Sequence, residues 1–64
     1  SEYILTLRME KAGELIKRNK LKLTSICNQV GFEDYNYFSR AFKRYHKISP
    51  KNYEINIENI QSHR

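Results

Sequence analysis

Apolar residues recur at helical spacing in four stretches of this chain, with polar residues between them. In the first stretch Leu5, Met9, Ala12, Leu15 and Ile16 form a stripe, which predicts an amphipathic helix over residues 2–19. Lys17, Arg18 and Asn19 suit its last turn, where cations offset the partial negative charge of unpaired carbonyls. Gly13 inside this helix costs about 1 kcal/mol relative to Ala, a cost that close packing would explain. Tyr3 and Leu7 form a second apolar pair beside the stripe. They are either partly exposed or in contact with something outside this chain.

The second stretch is short. Leu23, Ile26, Cys27 and Val30 follow an i, i+3, i+4, i+7 pattern, one buried face of a helix over about 23–30. Its N-cap is either Lys22 or Thr24. Thr24 is the better cap chemically, because its hydroxyl can accept from a free backbone N–H. Gly31 can take the left-handed conformation that ends a helix, and Phe32 can then fold back onto the core. Asp34 is a good N-cap for a third helix over 35–46, with Glu33 also favourable at a helix N-terminus.

The third helix has two unlike faces. Phe38, Ala41, Phe42 and Tyr45 fall on one side, and Asn36, Arg40, Lys43 and Lys47 on the other. Tyr37, Phe38 and Phe42 read as core or core edge, not as a platform for stacking bases. Ser49-Pro50 is a helix start, with Ser as N-cap and Pro at the first helical position. Tyr53, Ile55 and Ile57 alternate as in a strand, but the start signal favours a fourth helix over 50–60 carrying Tyr53, Ile57 and Ile60 on one face. Residues 61–64 are expected to fray. The fold class is therefore all-α: a long helix, a helix-turn-helix and a C-terminal helix, a homeodomain-like unit of three to four helices.

Composition narrows this picture. A chain of 64 residues holds one small domain with a marginal core. Cys27 is the single cysteine, so no disulfide framework supports it, which fits a reducing, cytoplasmic setting. No apolar stretch is long enough to span a membrane, and the first residues lack the features of a signal peptide. The net charge is +5. Residues 1–34 contribute +1 of it and residues 35–64 contribute +4. From Tyr35 to Lys51 there are five Lys or Arg and no Asp or Glu. A one-sided basic surface points to a polyanion partner.

Two short helices joined by a Gly turn, the second basic and backed by aromatics, make a helix-turn-helix. Asn can bond adenine, and Arg guanine, through two hydrogen bonds at the major-groove edge. Ser39 can reach a base edge or a phosphate. Lys43, Arg44, Lys47 and Lys51 would contact phosphates, which position a protein on DNA without reading sequence. No Ser/His/Asp set, paired carboxylates or phosphate loop is present to support an enzyme. His46 and His63 have no partners at metal-ligand spacing, and no cofactor is expected.

The run V-G-F-x-D-x-x-Y-F-S-R-x-F-K-R-x-x-x-x-S-P-x-x-Y starts at Val30, and R-M-x-x-A-x-x-L-I precedes it from Arg8. Together they resemble the DNA-binding domain of the AraC/XylS family of bacterial transcription regulators. The resemblance covers about residues 1–53. It implies a domain of two helix-turn-helix units joined by a linker helix. Residues 2–19 would be that linker and residues 23–46 the second unit. The echo of S-E-Y-I-L-T-L at 1–7 in K-N-Y-E-I-N-I at 51–57 then implies that residues 1–64 are a partial domain. An upstream unit and a regulatory domain would be missing, with Tyr3 and Leu7 packed on that unit. By the same resemblance Tyr35, Asn36, Ser39 and Arg40 face the groove, with Lys43 close to the backbone. Tyr35 either reads or packs, and Arg40 either reads a base or holds a phosphate or an internal acid. Arg8 is expected in a structural ion pair, with Glu33 or Asp34.

The expected partner is double-stranded DNA. The alternative is a helical protein-interaction module, for example in contact with RNA polymerase. Three residues depart from the family pattern: Lys47 where Gly is usual, which implies a strained or extended helix end, Lys22 where a Ser or Thr cap is usual, and Cys27 where Ala is common.

Overall fold

A computed structural model describes residues 2–18 and 20–62. Within them lie four helices: α1 (Glu2–Arg18), α2 (Leu23–Gln29), α3 (Tyr35–His46) and α4 (Pro50–Ser62). Asn19, assigned above to the end of the first helix, lies outside the described residues, as do His63 and Arg64 and the side chain of Ile60. α4 runs through Ser62, and the rest of the stretch expected to fray, residues 63–64, lies outside the described residues. Neither Gly nor Pro follows Ile60, so nothing in the backbone stops the helix there.

The core is built where the apolar stripes meet. Met9, Ala12 and Ile16 of α1 pack with Ile26 and Cys27 of α2 and with Phe38 and Phe42 of α3, all at most 2% exposed. Phe32 folds back edge-on to Phe38, with ring centroids 5.5 Å apart. Tyr53 of α4 closes the cluster edge-on to Phe42 at 5.4 Å. Tyr45 belongs to this side of α3 by spacing but sits at its margin, 40% exposed. Its hydroxyl donates to Glu10 at 3.2 Å. Tyr37 is a larger departure: it touches Phe32 at 5.6 Å yet stays 55% exposed.

The turn between α2 and α3 follows from Gly31. With φ at 99°, its N–H bonds Asn28 and the Phe32 N–H bonds Cys27. Together these satisfy carbonyls that the helix end would otherwise orphan. A Cβ at Gly31 would also meet the Arg8 guanidinium at 3.2 Å. Arg8 pairs with neither Glu33 nor Asp34, correcting that expectation. Its guanidinium lies 5.5 Å from the centre of the Phe32 ring, a cation–π contact that a linear reading does not distinguish from an ion pair.

The caps divide into good and poor ones. Asp34 accepts from the Asn36 N–H at 3.0 Å, and Ser49 from the Asn52 N–H at 3.2 Å. Asp34→Ala is expected to cost about 1 kcal/mol. In a domain this small the melting temperature should fall by roughly 4–8 °C, which a thermal melt followed by circular dichroism would read. An unchanged melt would mean that Asp34 does not cap. Lys22 occupies the α2 N-cap without a side-chain hydrogen bond, which resolves the Lys22/Thr24 alternative in favour of the poorer cap. Lys47 ends α3 at φ 69° and ψ 11°. It is the one non-glycine residue with positive φ among those described. That conformation costs an L-residue about 1–2 kcal/mol, against about 0.3–1 kcal/mol for a cation at a helix C-terminus.

α3 is fastened to α1 by His46. Its Nε2–H donates to the Met9 backbone carbonyl at 2.9 Å, since a carbonyl can only accept. The ring lies between Phe42 at 4.1 Å and Tyr53 at 5.3 Å. Gly13 makes this approach possible: a Cβ there would stand 3.1 Å from His46 Cε1. The helical cost of Gly13 thus has its explanation in a contact with another helix.

Candidate nucleic-acid interface

The outer face of α3 is built by the same spacing that buries Phe38 and Phe42. Asn36, Arg40, Lys43 and Arg44 are exposed along it, and Ser39 is half-buried at its margin. The cations sort into two grooves beside the helix. Arg40, Lys43, Arg44 and Lys47 line one with Tyr37, facing Glu2, Leu5 and Thr6 of α1. Tyr35 and Lys51 line the other, with Lys22, Thr24 and Glu54. Asn36 and Ser39 line neither groove and lie between them on the surface of α3.

Tyr35 is half-buried against Phe38 at 5.8 Å. Burial pushes its hydroxyl pKa up, with the Cys27 and Glu54 charges adding. It therefore stays protonated and can donate a hydrogen bond from the groove. Lys51 is engaged already: its ammonium lies 3.7 Å from Glu54 one turn along. An exposed pair of this kind is worth little, so a phosphate could compete for Lys51. Arg40 is exposed, and no ion pair to an acid among the described residues engages it.

Two residues of this surface escaped the linear reading. Lys22 had stood only as a poor cap, yet it shares the groove of Tyr35 and Lys51. Tyr37 had stood as core edge, yet it lines the groove of Arg40 and Arg44. Neither carries a sequence signal for this, because both placements depend on how the helices pack. Cys27 is buried, and its thiol donates to the Phe32 carbonyl at 3.5 Å. Burial, with the Asp34 charge adding, raises its pKa, so it acts as a small core residue. Among the described residues no three His, Cys, Asp or Glu side chains gather as a metal site. No helix among them is long and apolar enough to cross a membrane.

Two short helices at a glycine turn, the second exposing Asn and a line of cations, define a helix-turn-helix. A family model described as a helix-turn-helix domain matches residues 1–55. The chain belongs to that family, in its AraC/XylS-type branch. It is 43% identical over 91% of its length to the Msm operon regulatory protein of Streptococcus mutans, covering 21% of that protein. It is 35% identical over its whole length to the transcriptional activator FapR of Escherichia coli, covering 25% of it. A third relative is histidine kinase P4 of Formosa agariphila, 33% identical over 84% of this chain but only 4% of that protein. No solved structure matches the chain. The chain thus spans a quarter or less of these relatives.

Proposed function

We propose that this chain is a sequence-specific DNA-binding module of a bacterial transcription regulator, with α3 entering the major groove. The observation that carries the reading is the outer face of α3, where Asn36 and Arg40 stand exposed over a buried aromatic spine. Tyr35, Asn36, Ser39 and Arg40 are assigned to base edges. Lys43, Arg44, Lys47 and Lys51 are assigned to phosphates. The module works by binding and not by catalysis, in the bacterial cytoplasm where the DNA is. A preceding helix-turn-helix unit is assigned to the apolar residues left open on α1, Tyr3, Ile4 and Leu7, which are 73%, 49% and 47% exposed. A contact with RNA polymerase ranks second, because the exposed face of α3 is basic and not apolar.

Half of a two-part reader should bind weakly. The expected dissociation constant lies near the non-specific range of about 10⁻⁴–10⁻⁶ M. Three to five phosphate contacts should give a log–log salt slope of about −3 to −4. Titrating a labelled duplex at two salt concentrations checks both values. No binding at low salt, or binding without salt dependence, would reject the proposal.

A further inference from the structure

We infer that Lys47 is kept at the end of α3 because its ammonium anchors that end of the helix to a DNA phosphate, at the expense of the domain's own stability. The inference rests on the DNA-binding reading above and deepens it.

Two observations carry it. The first is conformational. The chain has to turn within Lys47, Ile48 and Ser49 to start α4, and it does so with Lys47 at φ 69°. The Lys47 N–H closes the helix onto the Lys43 carbonyl at 2.8 Å. This left-handed cap favours glycine, and only Asn and Asp tolerate it readily among the others. The favourable effect of a cation on the helix dipole is smaller than the conformational cost set out above. The domain's own energetics therefore do not explain a lysine here. Residues held in such strain cluster where a site needs them.

The second observation is spatial. Lys47 is exposed and lines the same groove as Arg40, Lys43 and Arg44. Standing one residue beyond His46, the last residue of α3, it adds a fourth cation to that groove.

Three variants separate the charge from the conformation. Lys47→Gly removes both the strain and the charge, and Lys47→Gln removes the charge but keeps the strain. Lys11→Gln removes an exposed charge of α1 that lines neither groove. Each is melted thermally and titrated against a labelled mixed-sequence duplex at several salt concentrations. Lys47→Gly should melt about 4 °C or more above the unaltered chain. Lys47→Gln should show no such gain. Both should bind DNA roughly three- to tenfold more weakly at low salt, with a salt slope shallower by about 0.9. Lys11→Gln should keep the slope. If the unaltered chain binds with the expected salt dependence and both Lys47 variants retain its slope, the assignment of Lys47 fails and the DNA reading stands. It fails equally if Lys11→Gln lowers the slope as much as they do. If the unaltered chain shows no salt-dependent binding, the DNA reading fails and takes this inference with it.

Discussion

Phe42→Ala is expected to remove about half or more of the domain's stability and to lower its melting temperature by more than about 10 °C. Phe42 is fully buried and touches Phe38 at 5.8 Å, His46 at 4.1 Å and Tyr53 at 5.4 Å. It therefore joins α3 to the docking point on α1 and to α4 at once. Truncating a buried Phe costs about 3–5 kcal/mol, because transfer energy is lost and the cavity cannot fully collapse. At roughly 0.05–0.15 kcal/mol per residue, a domain of this length has roughly 3–10 kcal/mol in total. The loss is thus on the order of half the stability or more. Tyr37→Ala on the same helix removes an exposed ring with one aromatic contact and should cost only about 1 kcal/mol. Thermal melts by circular dichroism compare the two. A Phe42→Ala melt within a few degrees of the parent would show that the aromatic spine is not what holds α3.

The second large effect is on binding. Arg40→Ala combined with Lys43→Ala should weaken duplex binding on the order of 10–100-fold at low salt and flatten the salt slope by about 1–2. Both side chains are exposed, so the fold should be nearly unaffected, within about 0.5 kcal/mol for each. The melt serves as the control. A variant that melts like the parent and binds DNA equally well would move the binding surface off α3 and favour a protein-contact role. A variant that has lost stability would point instead to a structural part for Arg40.

How far the sequence reaches can be judged residue by residue. The start of α3 was legible because Asp34 is a local signal: one carboxylate serving an N–H two residues on. The all-α class was legible for a similar reason, since each stripe repeats within its own helix. Contacts between helices were not legible in the same way. Arg8 lies over Phe32 and not beside an acid, and sequence spacing cannot tell an aromatic face from a carboxylate. Gly13 could be marked as a cost, but its partner His46 lies on another helix. Lys47 could be marked as a departure from the family pattern. That departure implied a helix end either strained or extended, and choosing the strained one required the turn itself. Lys22 and Tyr37 joined the candidate face only once packing had brought the grooves together.

The hydrogen bond from His46 to Met9 ends on a backbone oxygen, not on a side chain that could swing aside. The position of α1 therefore helps to set where the last turn of α3 lies, and with it the placement of Arg40 and Lys43. α1 has 17 residues, about 25 Å at 1.5 Å per residue, and the bolt sits near its middle. The Glu2 end lies along the groove of Arg40 and Lys43, so a displacement of that end would bear on the outer face of α3 as well as on the His46 contact.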